Sequence, residues 1–156
     1  MYRQGIRSFP YYLGIASLAD IATREDRVCV LNVMGGESRT VTPVSHAFSG
    51  GNVVFGTSPG RAGQALKTAA GDIPVFNNVR EGLEAGLRFN TGVVYLPPSG
   101  VRDGVAELVR VNPDLRKIVI ITEKIAVHDS REIRAIAQAN GIDVIGGNCL
   151  GVADSW

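Results

Sequence analysis

Cysteine and histidine are scarce, and their scarcity removes whole classes of chemistry. The two cysteines, Cys29 and Cys149, have no CxxC partner and no metal-ligand spacing. The spacing therefore offers no metal centre, and one distant pair is a poor disulfide framework, so a reducing, cytoplasmic compartment is expected. An excess of one charge sign is missing too. Lys and Arg number 16 against 15 Asp and Glu, interspersed along the chain. A nucleic-acid footprint would need a basic stripe or patch, so no nucleic-acid partner is expected. Long hydrophobic runs are also lacking, and none approaches a membrane span. One stretch mimics a secretory leader: Arg3 and Arg7 precede Phe9-Pro10-Tyr11-Tyr12-Leu13-Gly14-Ile15-Ala16-Ser17-Leu18-Ala19. Pro10, Gly14, Ser17 and the tyrosines make it a poor leader core. Residues 1–26 are expected to be a lead-in that packs on one domain, residues 27–156.

Glycine, by contrast, is abundant, with 19 residues, many of them where a strand should end. Short β-branched runs alternate with helical stretches from Arg27 onward. The strands expected are residues 28–33, 52–56, 73–76, 93–96, 117–122 and 142–145. Between them, Thr42 and Pro43 read as the N-cap and first position of a short helix. Val79, Leu83 and Leu87 share a helical face over residues 78–87. Val101, Val105, Leu108 and Val109 mark another helix, stopped by Asn112-Pro113. A last helix runs from about Ser130 to Ala139, with His128 in the loop before it and Asn140-Gly141 closing it. Continuous apolar strands are buried on both faces, and alternation with helices gives right-handed crossovers. The fold class predicted is α/β: a Rossmann-like, doubly wound, mainly parallel sheet with helices on both faces.

In such sheets ligands bind beyond the carboxyl ends of the strands, near the point where strand order reverses. The first such loop, Asn32-Val33-Met34-Gly35-Gly36-Glu37-Ser38-Arg39, joins a strand to a helix start. Its glycines allow close backbone approach, and a helix N-terminus offers free N–H groups to phosphate. The loop is not GxGxxG, and a plain tight turn would look the same. The second strand is more informative. An NAD site has an acid there to accept from the adenosine ribose. Here the strand runs out through Phe55-Gly56-Thr57-Ser58 into Pro59-Gly60-Arg61, with a cation and no acid. That suits an adenosine carrying a ribose phosphate, as in coenzyme A or NADP. A solvated loop arginine is the plain alternative.

Several motifs then occur in order: Ser58-Pro59-Gly60-Arg61-Ala62-Gly63, Ile73-Pro74-Val75-Phe76-Asn77-Asn78-Val79-Arg80-Glu81, Val94-Tyr95-Leu96-Pro97-Pro98, Ile120-Ile121-Thr122-Glu123 and Ile145-Gly146-Gly147-Asn148-Cys149-Leu150-Gly151. From about Arg27 to Val152 the chain resembles the first domain of the succinyl-CoA synthetase α-subunit and its relatives, which include citryl-CoA synthetase, malate-CoA ligase and ATP-citrate lyase. The resemblance implies a coenzyme A site. Met34, Gly35, Gly36 and Glu37 would hold phosphate and adenosine-side atoms. Arg61 falls where the family has a lysine facing the nucleotide phosphates, and Pro59 stiffens the same loop at the site. Pro97, Pro98, Ile121, Thr122 and Glu123 would line the adenine and pantetheine path. Asn148 and Cys149 would lie towards the thiol.

The chain also departs from that family. Asn32 and Ser38 replace the outer two of three loop glycines, Lys124 and Ala126 replace a Gly and a Pro, and Gly147 replaces a Pro. His46 and His128 are its only histidines, and neither falls at the family's phosphohistidine position. The resemblance therefore implies the coenzyme A-binding part of an acid–thiol ligase of the succinyl, citryl or malyl type, inactive alone and without catalytic residues of its own. Its partners would be the remaining ligase domain and an ATP-grasp subunit, and a homo-oligomer is compatible with it. The alternative is a stand-alone regulatory module that binds coenzyme A or a dinucleotide.

Overall fold

The computed structural model describes residues 21–153. The leader-like stretch and most of the expected lead-in lie outside the described residues. Within them, a seven-stranded sheet has the order β3-β4-β2-β1-β5-β6-β7. Its strands are β1 (Val28–Leu31), β2 (Val53–Thr57), β3 (Ala65–Leu66), β4 (Ile73–Phe76), β5 (Thr91–Val94), β6 (Lys117–Ile120) and β7 (Asp143–Ile145). Every pairing is parallel except that of β3 with β4. All residues of β1 and β6 are buried, as in a sheet covered on both faces. The helices are α1 (Gly36–Phe48), α2 (Val79–Glu84), α3 (Val101–Val111) and α4 (Val127–Asn140). The expected α/β fold is the one observed.

From β1 the chain steps outward to β2 and β4, then returns to place β5 on the other side of β1. The strand order thus reverses between β1 and β5, which makes the gap beyond their carboxyl ends the switch point. Right-handed crossovers put α1 on one face and the remaining helices on the other. On that second face Val79 of α2, Val101, Val105 and Leu108 of α3, and Ile133 and Ala137 of α4 pack with Phe55, Ile118 and Ile120 in the larger core. Phe55 is its centre, with edge contacts to Phe76 and Phe89 at centroid separations of 5.6 and 5.4 Å. The opposite face gathers Val28, Val30, Val33, Val53, Ile73 and Val75.

The chain enters this sheet through a polar anchor. Lys117, buried at the start of β6, donates to the Ile21 carbonyl at 2.7 Å and pairs with Asp26 at 2.8 Å. Asp26 also accepts from the Thr91 hydroxyl at 3.2 Å. A lysine is buried only when its ammonium is satisfied, so the residues just before β1 are tied to the sheet rather than appended to it.

Helix α1 corrects the expected helix start. It begins at Gly36, not at Thr42, and Pro43 lies inside it. The physical reason is the side it buries: Ser38, Thr42 and His46 face inward, while Val44 and Phe48 are 69% and 68% exposed. An apolar stripe therefore does not mark the buried side. His46 sits at the base of this side, where its Nδ1 accepts from the Val53 N–H at 3.1 Å. Burial pushes its pKa below the ordinary histidine value, in keeping with a neutral ring that accepts at Nδ1.

Other boundaries shift for local reasons. Strand β1 stops at Leu31 because Asn32 turns to a left-handed φ of 63°. Helix α2 is shorter than residues 78–87. Asn78 caps its start by accepting from the Glu81 N–H at 3.0 Å, and Gly86 leaves it at φ 86°. Helix α4 starts before Ser130, so His128 lies in its first turn rather than in a preceding loop, and Gly141 closes it at φ 65°. The short antiparallel β3 has no sequence signal.

Candidate coenzyme site at the strand ends

Because the strands carrying the expected site are parallel, their carboxyl-end loops share one edge of the sheet. Backbone and side-chain hydrogen bonds join them in turn. The Asn32 amide donates to the Tyr95 carbonyl at 3.0 Å, linking the loop after β1 to the one after β5 across the switch point. The Thr122 hydroxyl, after β6, donates to the Leu96 carbonyl at 2.6 Å. Asn148, after β7, donates its N–H to the Thr122 carbonyl at 2.9 Å, and Cys149 donates to that of Ile120 at 3.2 Å. Asn32, Tyr95, Leu96, Thr122 and Asn148 thus form a continuous chain along the edge. Met34, Gly35, Gly36, Glu37, Pro97, Pro98, Ile121, Glu123 and Cys149 are carried by these same loops.

The first loop is held by its own side chains. The Ser38 hydroxyl donates to the Asn32 carbonyl, which also accepts the Gly35 N–H at 2.9 Å. A Cβ at Gly35 would stand 2.7 Å from the Asn32 amide nitrogen, whereas one at Gly36 would meet nothing. The two glycines therefore differ: Gly35 is required by the loop's internal packing, and Gly36 leaves open space above the helix start. Asn32 and Ser38, noticed in the sequence only as departures from a glycine pattern, are the residues that shape this loop. Asparagine tolerates the left-handed conformation better than most side chains, and that was the available signal.

Two glycines set the far end of the edge. A Cβ on Gly146 would lie 2.3 Å from the Ile120 carbonyl oxygen, and one on Gly147 would lie 2.8 Å from the Ile125 side chain. Close approach of the last loop to β6 depends on Gly146, and to the loop after β6 on Gly147. Cys149 is half-buried there, and its Sγ contacts the Gly151 backbone at 3.4 Å. Cys29 is different: it is fully buried in β1, and burial, aided by the Glu107 carboxylate, pushes its thiol well above the ordinary range. Both cysteines are free.

Arg61 stands beyond β2. Ser58 donates to the Phe76 carbonyl at 2.8 Å, Gly60 donates to the Asn77 side chain at 2.9 Å and takes φ 76°, and Arg61 closes the turn by donating to the Ser58 carbonyl at 3.0 Å. The turn is thus rigid while the guanidinium remains exposed, with no ion pair among the described residues. Tyr95 lies half-buried at the switch point. Burial raises its phenol pKa, and the Glu37 carboxylate raises it further, which places Glu37 within electrostatic reach of Tyr95.

Glu123 and Lys124 pair at 3.5 Å on the surface, both exposed, an interaction of little energetic weight. His128, Asp129 and Glu132 bring possible metal-ligand atoms within 4.8 Å of one another. Glu132 is already engaged by His128 at 3.0 Å and by Arg102 at 3.4 Å. Among the described residues, no helix is long and apolar enough to cross a membrane.

Comparison with known proteins agrees with this geometry. Residues 25–124 match the CoA binding domain family. The chain is 32% identical over 130 residues to the ADP-forming sulfoacetate-CoA ligase subunit SqwL of an Acholeplasma species, covering 83% of this chain and 41% of that protein. It is 30% identical over 128 residues to the ADP-forming succinate–CoA ligase α-subunit of Methanothermobacter thermautotrophicus, covering 82% and 41% respectively. The fold is similar to that of ATP citrate lyase from Methanothrix soehngenii, solved with citrate and coenzyme A. The TM-score is 0.70 at 16% identity, over 85% of this chain and 22% of that one. The chain thus spans about two-fifths of the length of these curated relatives. With most of its length in the match and the strand-end loops in place, the chain belongs to the CoA binding domain family.

Proposed function

We propose that this chain is the coenzyme A-binding component of an acid–thiol ligase of the succinyl, citryl or malyl type, working in the cytoplasm. The observation that carries the reading is the single edge of strand-end loops, with Arg61 beyond β2 exposed and without an ion pair among the described residues, where a dinucleotide site would have an acid. In this reading the start of α1, with Met34, Gly35, Gly36 and Glu37, receives phosphate and adenosine-side atoms, and Pro59 and Arg61 hold the ribose phosphate end. Pro97, Pro98, Ile121, Thr122 and Glu123 line the path of adenine and pantetheine. Asn148 and Cys149 stand at the thiol end, with Cys149 giving shape rather than attacking substrate, since no described base lies beside its sulfur.

Phosphoryl chemistry would come from partners, a second ligase domain and an ATP-grasp subunit. Transfer of a phosphoryl group is catalysed by positioning and by charge stabilisation from metal ions, arginines and a relay residue. His46 is buried on the inner side of α1 and His128 is paired with Glu132, so neither is a free relay group at the strand ends. The 156-residue chain alone is therefore expected to form no acyl-CoA from a carboxylic acid, ATP and coenzyme A. Addition of the partner domain and ATP-grasp subunit of a related ligase should give turnover. Coenzyme A-dependent ATP hydrolysis by the highly purified chain would contradict this assignment.

A further inference from the structure

The loop proposed to receive phosphate and adenosine-side atoms itself carries an anion. Glu37 lies in the first turn of α1, one residue beyond the open space above Gly36. It is exposed and has no ion-pair partner among the described residues. Acids are favoured in a helix's first turn because they interact with the same unpaired N–H groups and the same positive end of the dipole that attract phosphate. A carboxylate and a phosphate at this place therefore compete.

The backbone beneath Glu37 is held in place. Ser38 and Gly35 both donate to the Asn32 carbonyl, Asn32 spans to Tyr95, and Arg39 donates to the Gly35 carbonyl at 3.0 Å. The first turn consequently keeps the Glu37 Cα beside the loop, and only side-chain rotation can carry its charge away. Burial raises the Tyr95 pKa, and the Glu37 carboxylate raises it further, so that charge acts on the switch-point side of the helix.

We infer that Glu37 is a specificity-determining residue that places a fixed negative charge at the mouth of the phosphate loop and limits the chain's affinity for coenzyme A. The inference rests on the coenzyme reading above and deepens it. Phosphate-rich ligands are bound less tightly than the loop backbone would allow, and release is correspondingly easier. A like charge a few ångströms from a pyrophosphate, in a loop still open to water, corresponds to about three- to tenfold in affinity. Mobile ions should screen most of that difference, since the Debye length shrinks to about 10 Å at 0.1 M salt and about 3 Å at 1 M.

Calorimetric titration of the wild-type chain, Glu37→Gln and Glu37→Lys with coenzyme A, at low and at high ionic strength, tests this. Thermal melts confirm that each variant is folded. At low ionic strength Glu37→Gln should bind about three- to tenfold more tightly and Glu37→Lys more tightly still, and both gains should shrink at high ionic strength. Unchanged or weaker binding by both folded variants, beside a wild type that binds, would overturn the inference and leave the coenzyme site standing. A wild type that does not bind coenzyme A at all would overturn the coenzyme reading and this inference with it.

Discussion

Gly56→Ala is expected to destabilise the domain and weaken coenzyme A binding at the same time. Gly56 lies in β2, paired with Val30 of β1 and Val75 of β4. A Cβ there would come within 2.4 Å of the Val33 side chain, far inside van der Waals contact. Val33 is fully buried and its N–H donates to the Thr57 carbonyl at 3.0 Å, so it cannot rotate away into solvent. Overpacking of this kind costs about 1–3 kcal/mol, and occasionally more, out of a total stability of about 5–15 kcal/mol for an ordinary domain. Strain relieved by moving Val33 passes to its neighbours Asn32 and Met34, and Asn32 anchors the loop after β1 to Tyr95. Chemical denaturation should show the loss of stability, and calorimetry well below the melting temperature should show weakened binding. Gly36→Ala is the contrasting substitution, since its Cβ meets nothing. Wild-type stability together with wild-type binding in Gly56→Ala would contradict the packing argument.

Arg61→Ala should reduce coenzyme A affinity about ten- to hundredfold. A charge-assisted hydrogen bond to phosphate contributes about 1.5–3 kcal/mol, and each 1.4 kcal/mol is about tenfold. The backbone around Arg61 is fixed by the bonds of Ser58, Gly60 and Arg61 to their neighbours, so the guanidinium is presented from a rigid turn and little order must be gained on binding. The side chain is exposed and makes no described ion pair, so its removal should leave stability nearly unchanged. Contact with the ribose phosphate predicts a much larger loss for coenzyme A than for dephospho-coenzyme A. Equal losses would assign Arg61 to the pyrophosphate instead. No loss for either ligand would make Arg61 a solvated surface charge and remove the main electrostatic support for the site.

The sheet was legible because its strands are buried on both faces and say so in residue type. Val28-Cys29-Val30-Leu31 and Lys117-Ile118-Val119-Ile120 are apolar or β-branched almost throughout, and each is buried along its length. Helix α3 was legible from apolar spacing and the stop signal Asn112-Pro113, and the end of α4 from Asn140-Gly141. The start of helix α1 was not, because its inward side is Ser38, Thr42 and His46 while Val44 and Phe48 face out. Periodicity identifies a buried side only when that side is apolar. Within the site, the strand-end loops could be located from topology alone, since parallel strands bring their carboxyl ends to one edge. The bridge from Asn32 to Tyr95, and the demand for glycine at Gly56 and Gly146, depend on contacts between residues distant in the chain. No local pattern encodes such contacts.

Coenzyme A binding is tested most directly by thermal unfolding of the chain with coenzyme A, dephospho-coenzyme A, NAD and NADP, each at the same concentration. A ligand that binds the folded state raises its stability by about 2.7 kcal/mol when present at about a hundred times its Kd, so the order of the shifts reports the order of affinities. A coenzyme A site with Arg61 on the ribose phosphate predicts the largest upward shift with coenzyme A, a smaller one with dephospho-coenzyme A and the least with NAD. A shift with NAD or NADP that exceeded the shift with coenzyme A would contradict it.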